Sequence, residues 1–458
     1  MTVNEKIFKA YDIRAVYPDE IDEDAAYIIG RAFVTFLGCK EVVVGQDMRS
    51  SSPSLFDALA RGITDQGADV IDIGKSSTPF FYFGTAGHEA GIMVTASHNP
   101  AKYNGFKMCR DGTVPIGGDS GMQEIKALAV AGGFKDTETK GSIRKKDITD
   151  DFITHNLKFL DSSLSGKNLK IVVDTGNGMG GYTFPKVFER VENIEVVPLY
   201  FDVDMTFPNH EANPIKPENV KDLQEAVISN NADFGAAIDG DCDRCFFVDE
   251  KGDVVTADLI TALLAKELLK DNPGARILYD LRSSWATKEV IEENGGKPGM
   301  CRVGHAFIKK QMREEDALFA GELSGHLYYR DSFVTESSII STLLIINLIR
   351  KEGKALSELV KPIKRYFPSG EINSEVGDKE GKMKELEGMF RAEAKVTSHL
   401  DGIKLEFDDW WFNVRASNTE PLLRLNLEAK TEKRMEEMRD RIVAIIRRKR
   451  DEDITQAS

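Results

Sequence analysis

Lys170-Ile-Val-Val-Asp174-Thr-Gly-Asn-Gly178 is the stretch on which the fold reading turns. A short, continuous run of branched apolar residues stops at an aspartate and a cluster of small polar residues. That pattern predicts a buried strand running into a loop, with a helix-like stretch behind it. The same form stands earlier as Glu41-Val-Val-Val-Gly45-Gln-Asp47 and later as Ile277-Leu-Tyr-Asp280-Leu-Arg-Ser-Ser284. Apolar strands alternating with helices imply α/β units whose sheets are covered on both faces. Three copies predict three related α/β domains, the alternative being plain repetition of the strand-helix unit.

The last hundred residues follow another pattern. Gly402 to Phe407, Trp410 to Arg415 and Leu422 to Glu428 read as three strands close together. Leu423, Leu425 and Leu427 alternate with Arg424, Asn426 and Glu428, which predicts one buried face and one wet face. Thr431 to Arg450 has Met435, Met438, Ile442 and Ile445 at helical spacing, so the module is α+β. Lys379 to Lys395 reads as a charged surface helix, and Ile339 to Ile349 as a buried one. These shifts place the units at 1–145, 146–250, 251–365 and 366–458. The expected fold is three α/β domains with mixed sheets between helices, plus a C-terminal α+β domain, around a central cleft.

The chain has 458 residues, 41% of them hydrophobic and 29% charged, which excludes a disordered protein. Its net charge of −15 makes it a poor partner for nucleic acid or an anionic membrane. The N-terminus mixes charges through the place of a signal-peptide core, and no apolar run is long enough to span a bilayer. Five scattered cysteines, an odd number, fit free thiols in the cytoplasm. Cys242 and Cys245 have no second pair at zinc spacing.

Four constellations have chemical content. In Gly91-Ile-Met-Val-Thr95-Ala-Ser97-His98-Asn99-Pro100 a strand delivers a serine into a loop, with Lys102 and Lys107 close behind. Such a serine can accept a phosphoryl group. His98 is not expected to serve as its base, because adjacent side chains of an extended segment point apart. In Asp239-Gly-Asp241-Cys-Asp243-Arg244 three carboxylates repel one another unless a cation sits among them, and oxygen ligands suit Mg²⁺, Mn²⁺ or Ca²⁺. Arg244 stands where a calcium-binding EF-hand loop needs glycine, and Asp243 where a haloacid-dehalogenase site needs Thr or Val. Gly321-Glu322-Leu323-Ser324-Gly325-His326 offers groups for sugar hydroxyls and a possible acid or base. Arg415-Ala-Ser417-Asn418-Thr419-Glu-Pro421 can cradle a phosphate. Taken singly, each of the last two also fits a plain polar loop.

The four occur once each, one per inferred domain. In that order they resemble the α-D-phosphohexomutases of the phosphomannomutase/phosphoglucomutase type. Lys9-Ala-Tyr11-Asp12-Ile13-Arg14 matches that family's opening signature, and the resemblance covers essentially the whole chain. It implies a phosphorylated Ser97, with Mg²⁺ held by Asp239, Asp241, Asp243 and the Ser97 phosphoryl group. Arg244, Lys107 and Arg14 then lie near the transferring phosphoryl group, and His326 is a proton shuttle. Glu322 and Ser324 bind sugar hydroxyls, while Tyr11 and His305 belong to the cleft. Arg415, Ser417, Asn418 and Thr419 grip the phosphate that stays. Arg282 stands where many relatives carry lysine, Ala15 where glycine is usual, and Leu323 where methionine is commoner.

The implied reaction interconverts the 1- and 6-phosphates of mannose and glucose through a 1,6-bisphosphosugar. Glucose 1,6-bisphosphate or mannose 1,6-bisphosphate is the implied activator and hexose phosphates are the partners; monomer and homodimer both stay open. Phosphoglucosamine mutase, an aspartyl phosphatase using Asp239 and a non-catalytic phosphosugar-binding protein are the rivals. The surface expectation is a cationic cleft of Arg14, Lys107, Arg244, Arg282 and Arg415 in an anionic protein.

Overall fold

The computed structural model describes residues 3–9, 11–135, 137–164, 168–417 and 422–448. Its strands form four sheets. In the second, Leu169–Asp174 lies between Ile194–Leu199 and Phe234–Ile238, parallel to both. Cys245–Asp249 then pairs antiparallel with Phe234–Ile238, and Val254–Val255 closes that edge.

The third sheet repeats this plan. Arg276–Asp280 lies parallel between Lys297–Cys301 and Phe319–Gly321, with Leu327–Tyr329 and Thr335–Glu336 antiparallel beyond. So does the first, with Glu41–Gln46 parallel between Asp69–Lys75 and Ala90–Val94. Tyr103–Arg110 and then Ile13–Val16 extend it antiparallel, and Ile143–Lys145 adds a parallel edge. The central strand of each sheet is the run singled out in the sequence, and a shared order makes the three domains related.

Local sequence sets the element ends. Helix Glu23–Leu37 starts where Asp22 accepts from Ala25 N and stops at Gly38, at φ 65°. Ser337 and Gly353 do the same for helix Ser338–Glu352. This helix buries Ile339, Leu343, Ile346 and Ile349 in one continuous core with Phe81, Phe152, Phe184, Phe247 and Phe319. The three α/β domains thus share apolar packing as well as a plan.

The C-terminal sheet is antiparallel, with Ile403–Glu406, Trp410–Ala416 and Leu422–Ala429 at its centre. Helices Lys379–Phe390 and Glu432–Arg447 cover one face. The other face is not wet, as the alternation had suggested: Asn426 and Glu428 are buried. The cause is docking on the third domain. Glu428 Oε2 accepts from Trp285 N and from Trp411 Nε1, both at 3.0 Å. Trp285 Nε1 donates to Glu406 Oε2 at 3.0 Å, and Lys404 Nζ to Leu281 O at 2.9 Å. Alternation reports which residues share a face, and polar residues can satisfy a buried interface.

That interface is proton-sensitive. Burial raises Glu428 from its ordinary 4.5 to about 7, with buried Asp258 adding to the effect. Between those values the folded chain holds a proton that the unfolded chain has lost. The contribution is full below the lower value and is lost as pH rises through the upper one. Urea denaturation from about pH 5 to about pH 8 is expected to show Glu428→Gln gaining on the order of 1–3 kcal/mol relative to the parent. Parallel curves would remove Glu428 as the titrating group.

Candidate active site

The loops of Ser97, of Asp239 to Arg244 and of Glu322 to His326 occupy one topological position. Each joins the third strand of its domain's plan to the following antiparallel strand. Ser97 lies between Ala90–Val94 and Tyr103–Arg110, Asp239 to Arg244 between Phe234–Ile238 and Cys245–Asp249, and Glu322 to His326 between Phe319–Gly321 and Leu327–Tyr329. The three loops meet. An added Cβ on Gly240 would come within 2.7 Å of Ser97 O, so only glycine permits the approach of the first two. Arg244 and His326 form a backbone bridge between the second and third.

Ser97 is buried and has φ 52°. Its Oγ lies 3.4 Å from Asp239 Oδ2 and 3.0 Å from His98 Nδ1. The expectation that His98 points away fails because Ser97 is left-handed rather than extended. No triad results, however: the same Nδ1 faces both Ser97 and, at 4.0 Å, Asp239 Oδ2, whereas a relay needs opposite ring nitrogens. Burial, with Arg244 and Arg14 nearby, holds His98 well below its ordinary value.

Asp239, Asp241 and Asp243 each offer an oxygen within 4.8 Å of the others, all buried. Asp239 Oδ1 is fixed by Asp243 N and Arg244 N. Lys107 Nζ, from the first sheet, stands 2.5 Å from both Asp241 Oδ2 and Asp243 Oδ2. Burial opposes charge on Lys107, but these two carboxylates outweigh it and keep it protonated. Burial and its two neighbours raise Asp239 well above the carboxylate range. Asp241 Oδ1 is buried with no hydrogen-bond partner among the described residues. An oxygen-only donor set with an unpartnered buried oxygen fits a hard divalent cation.

Across the cleft, Glu322 Oε2 and Ser324 Oγ each lie 2.9 Å from His326 Nδ1, and Tyr328 OH donates to Glu322 at 3.1 Å. His326 Nε2 lies 3.4 Å from Asp243 Oδ1 and 3.3 Å from Arg244 Nε. It donates to the first when protonated and accepts from the second when neutral. Burial favours the neutral ring, but Asp243 and Glu322 outweigh it and raise His326 to about 9.

Of the remaining predicted residues, Arg14, Tyr11, His305, Arg282, Arg415 and Ser417 are among the described ones. Arg14 bonds Asp12 at 2.8 Å and Asn99 Oδ1 at 2.6 Å, beside the serine loop. Tyr11 packs its ring against His305 and Phe307 and reaches Val303 O at 3.5 Å. Burial holds His305 well below its ordinary value. Arg282 is paired with Asp280 at 2.7 Å. Arg415 and Ser417 are buried at the end of the C-terminal hairpin, whereas Asn418 and Thr419 lie outside the described residues.

The expected cations are present, but each stands against a carboxylate. Glu371, missed in the sequence, lies 3.6 Å from Arg282, 3.4 Å from Arg415 and 3.0 Å from Arg424. Thr78 was missed as well; its Oγ1 donates to Asp241 Oδ2 at 2.6 Å. Only the fold brings these residues to the site. Cys242 and Cys245 are buried free thiols facing Ser338 and Thr342.

Four domain models of the phosphoglucomutase/phosphomannomutase type match in order: α/β/α domain I at 5–136, domain II at 150–252, domain III at 256–366 and the C-terminal domain at 371–445. The chain therefore belongs to the phosphoglucomutase/phosphomannomutase family. It is 43% identical to a phosphomannomutase of Salmonella montevideo, over 92% of this chain and 94% of the other. A phosphomannomutase of Escherichia coli K12 is 42% identical over 95% of this chain and 97% of its own. A crystal structure of a family protein from Burkholderia thailandensis superposes with a TM-score of 0.87 at 32% identity, covering 97% of this chain and 98% of that one.

The carboxylate cluster makes a metal prediction. Magnesium added to chelator-treated protein is expected to raise the melting temperature, by about 3 kcal/mol of stabilisation at a free concentration a hundred times the dissociation constant. Asp241→Asn is expected to abolish the rise; an equal rise in that variant would move the site elsewhere.

Proposed function

We propose that this protein is a phosphohexomutase that interconverts mannose 1- and 6-phosphate, and glucose 1- and 6-phosphate, through phosphoserine at Ser97. The observation that carries the reading is Ser97 Oγ at 3.4 Å from Asp239, with Lys107 and the aspartates beside it and the Glu322–Ser324–His326 loop opposite. The names of the relatives support the substrate class.

In this reading the bond between phosphorus and Ser97 Oγ breaks as the free sugar hydroxyl attacks, and the hydroxyl proton passes to a base in the cleft. The product is a 1,6-bisphosphosugar. After it turns around, Ser97 Oγ takes the other phosphoryl group and the sugar oxygen left behind regains a proton. Lys107, Arg244 and Arg14 balance charge on the group in flight, because phosphoryl transfer depends mainly on positioning and neutralisation. His326 is the proton shuttle: its neutral ring takes the proton of the attacking hydroxyl, and the protonated ring, favoured at neutral pH, returns one to the oxygen left behind. Glu322 and Ser324 hold sugar hydroxyls, with Tyr11 and His305 shaping the cleft wall. Arg282, Arg415, Ser417, Asn418 and Thr419 bind the phosphate that stays.

Asp239, Asp241 and Asp243 would hold Mg²⁺, whose charge, when bound, stabilises the negative oxygens of the phosphoryl group. Glucose or mannose 1,6-bisphosphate would serve as activator by phosphorylating Ser97. The division 1–145, 146–250, 251–365 and 366–458 gives one loop per domain, with Val254–Val255 pairing back to the second sheet. Among the described residues no helix is long and apolar enough to cross a membrane. The five free thiols support a reducing compartment such as the cytoplasm.

Intact mass before and after incubation with glucose 1,6-bisphosphate tests the mechanism. One phosphoryl group is expected on Ser97, stable to hydroxylamine, and Ser97→Ala is expected to lose roughly three orders of magnitude in turnover or more while binding sugar phosphate. A hydroxylamine-labile group on Asp239 would replace the mutase by a phosphatase, and unchanged behaviour of Ser97→Ala would leave only a binding protein. Turnover preferring glucosamine 6-phosphate over mannose and glucose phosphates would move the substrate to the amino sugar.

A further inference from the structure

Arg49 takes no part in the chemistry above, yet its guanidinium is completely committed. An arginine side chain has five N–H donors in a rigid fork. Here Nε donates to Asp47 Oδ2 at 3.1 Å. Nη1 donates to Pro100 O at 2.9 Å and Tyr103 O at 3.0 Å. Nη2 donates to Ser97 O at 2.7 Å and Asn99 O at 2.8 Å. Every donor has an acceptor, and the residue is 1% exposed.

Four of the five acceptors are main-chain carbonyls of one loop, the loop that carries the serine. Converging buried carbonyls repel one another and cost free energy if left unpaired, so a planar cation is what allows this loop to close. Asp47 completes the device, accepting from Arg49 N at 3.0 Å and from Ser52 Oγ at 2.5 Å. The ring of Phe207, from the second domain, lies 5.8 Å from the guanidinium.

The third domain contains the same turn put to another use. Arg282 N bonds Asp280 Oδ1 at 2.7 Å, as Arg49 N bonds Asp47, but the Arg282 guanidinium reaches toward Glu322 and Glu371 in the cleft. One aspartate-arginine spacing, two residues apart, thus serves a loop in the first domain and the cleft in the third.

We propose that Asp47 and Arg49 are positioning residues that hold the Ser97–Tyr103 backbone so that Ser97 Oγ stays presented to Asp239 and to the cleft. The proposal rests on the reading of Ser97 as the phosphoryl carrier. Lysine has three donors on a point charge and cannot span four carbonyls, so Arg49→Lys is not a conservative change.

The test is steady-state kinetics of full-length Arg49→Lys with its melting temperature as a folding control. A folded variant is expected to lose about 100-fold in kcat with KM within about threefold, as a misplaced reacting group does. Phosphorylation of Ser97 by glucose 1,6-bisphosphate should slow by a similar factor. A folded variant with parental kcat, or one whose whole loss lies in KM, overturns the proposal. If Arg49→Lys does not fold, Asp47→Asn takes its place, because it keeps an acceptor for Arg49 N and Ser52 while releasing Nε. It should lose about tenfold in kcat at constant KM, and an unchanged kcat overturns the proposal. A parent protein with no turnover and no phosphoserine would sink the carrier reading instead. The clamp is then read from amide hydrogen exchange at residues 97–103, which must accelerate in the variant if the proposal holds and is unchanged if it fails.

Discussion

Three carboxylates buried in one five-residue turn cannot coexist without a cation. That constraint organises the molecule. Lys107 meets it from the first sheet at 2.5 Å from two of the aspartates, and thereby ties the first domain to the second. Arg244 and His326 meet it from the second and third. Buried charge is costly unless paired, so the cluster joins the domains alongside their apolar packing. A concentration of opposite charge at a buried site is what phosphoryl chemistry needs. Under the proposed function, fold stability and chemistry would draw on one set of side chains.

The repeated domain plan explains how so many groups converge. A hairpin between a parallel and an antiparallel strand can present side chains beyond the sheet edge. Using that hairpin three times places the serine, the aspartates and the Glu322–His326 loop at one point. Asp47, Asp174 and Asp280 repeat a second feature: each accepts from the N–H two residues on, closing the turn after its central strand. In the second domain the residue two on is Gly176, and His210 pairs with the aspartate instead, at 3.1 Å. What varies among the copies is the side chain carried by a constant turn.

Much of this was legible in the sequence. The branched apolar runs gave the central strands, and loops rich in Ser, Asp, Glu and Arg gave the site, because both are local patterns. What stayed hidden depends on residues distant in sequence. The outer face of Leu422–Ala429 alternates as a wet face should, yet Glu428 on it is buried against Trp285 of the third domain. His98 turns toward Ser97 only because one residue adopts a left-handed φ. Glu371 and Thr78 stand in unremarkable stretches and acquire meaning from partners over 40 and over 160 residues away. The Asp47-x-Arg49 spacing could have been found by comparing it with Asp280-x-Arg282.

Glu371 has a consequence for traffic through the cleft. It already occupies the space between Arg282 and Arg415 as their counter-ion. Under the proposed function a phosphate arriving there would meet a seat that is taken, and its capture would be an exchange of one anion for another. Affinity at that point would then be the difference between two similar attractions, which would favour quick departure over tight retention. An intermediate that, as proposed, must let go, rotate and be held again would be served by a seat with a standing occupant.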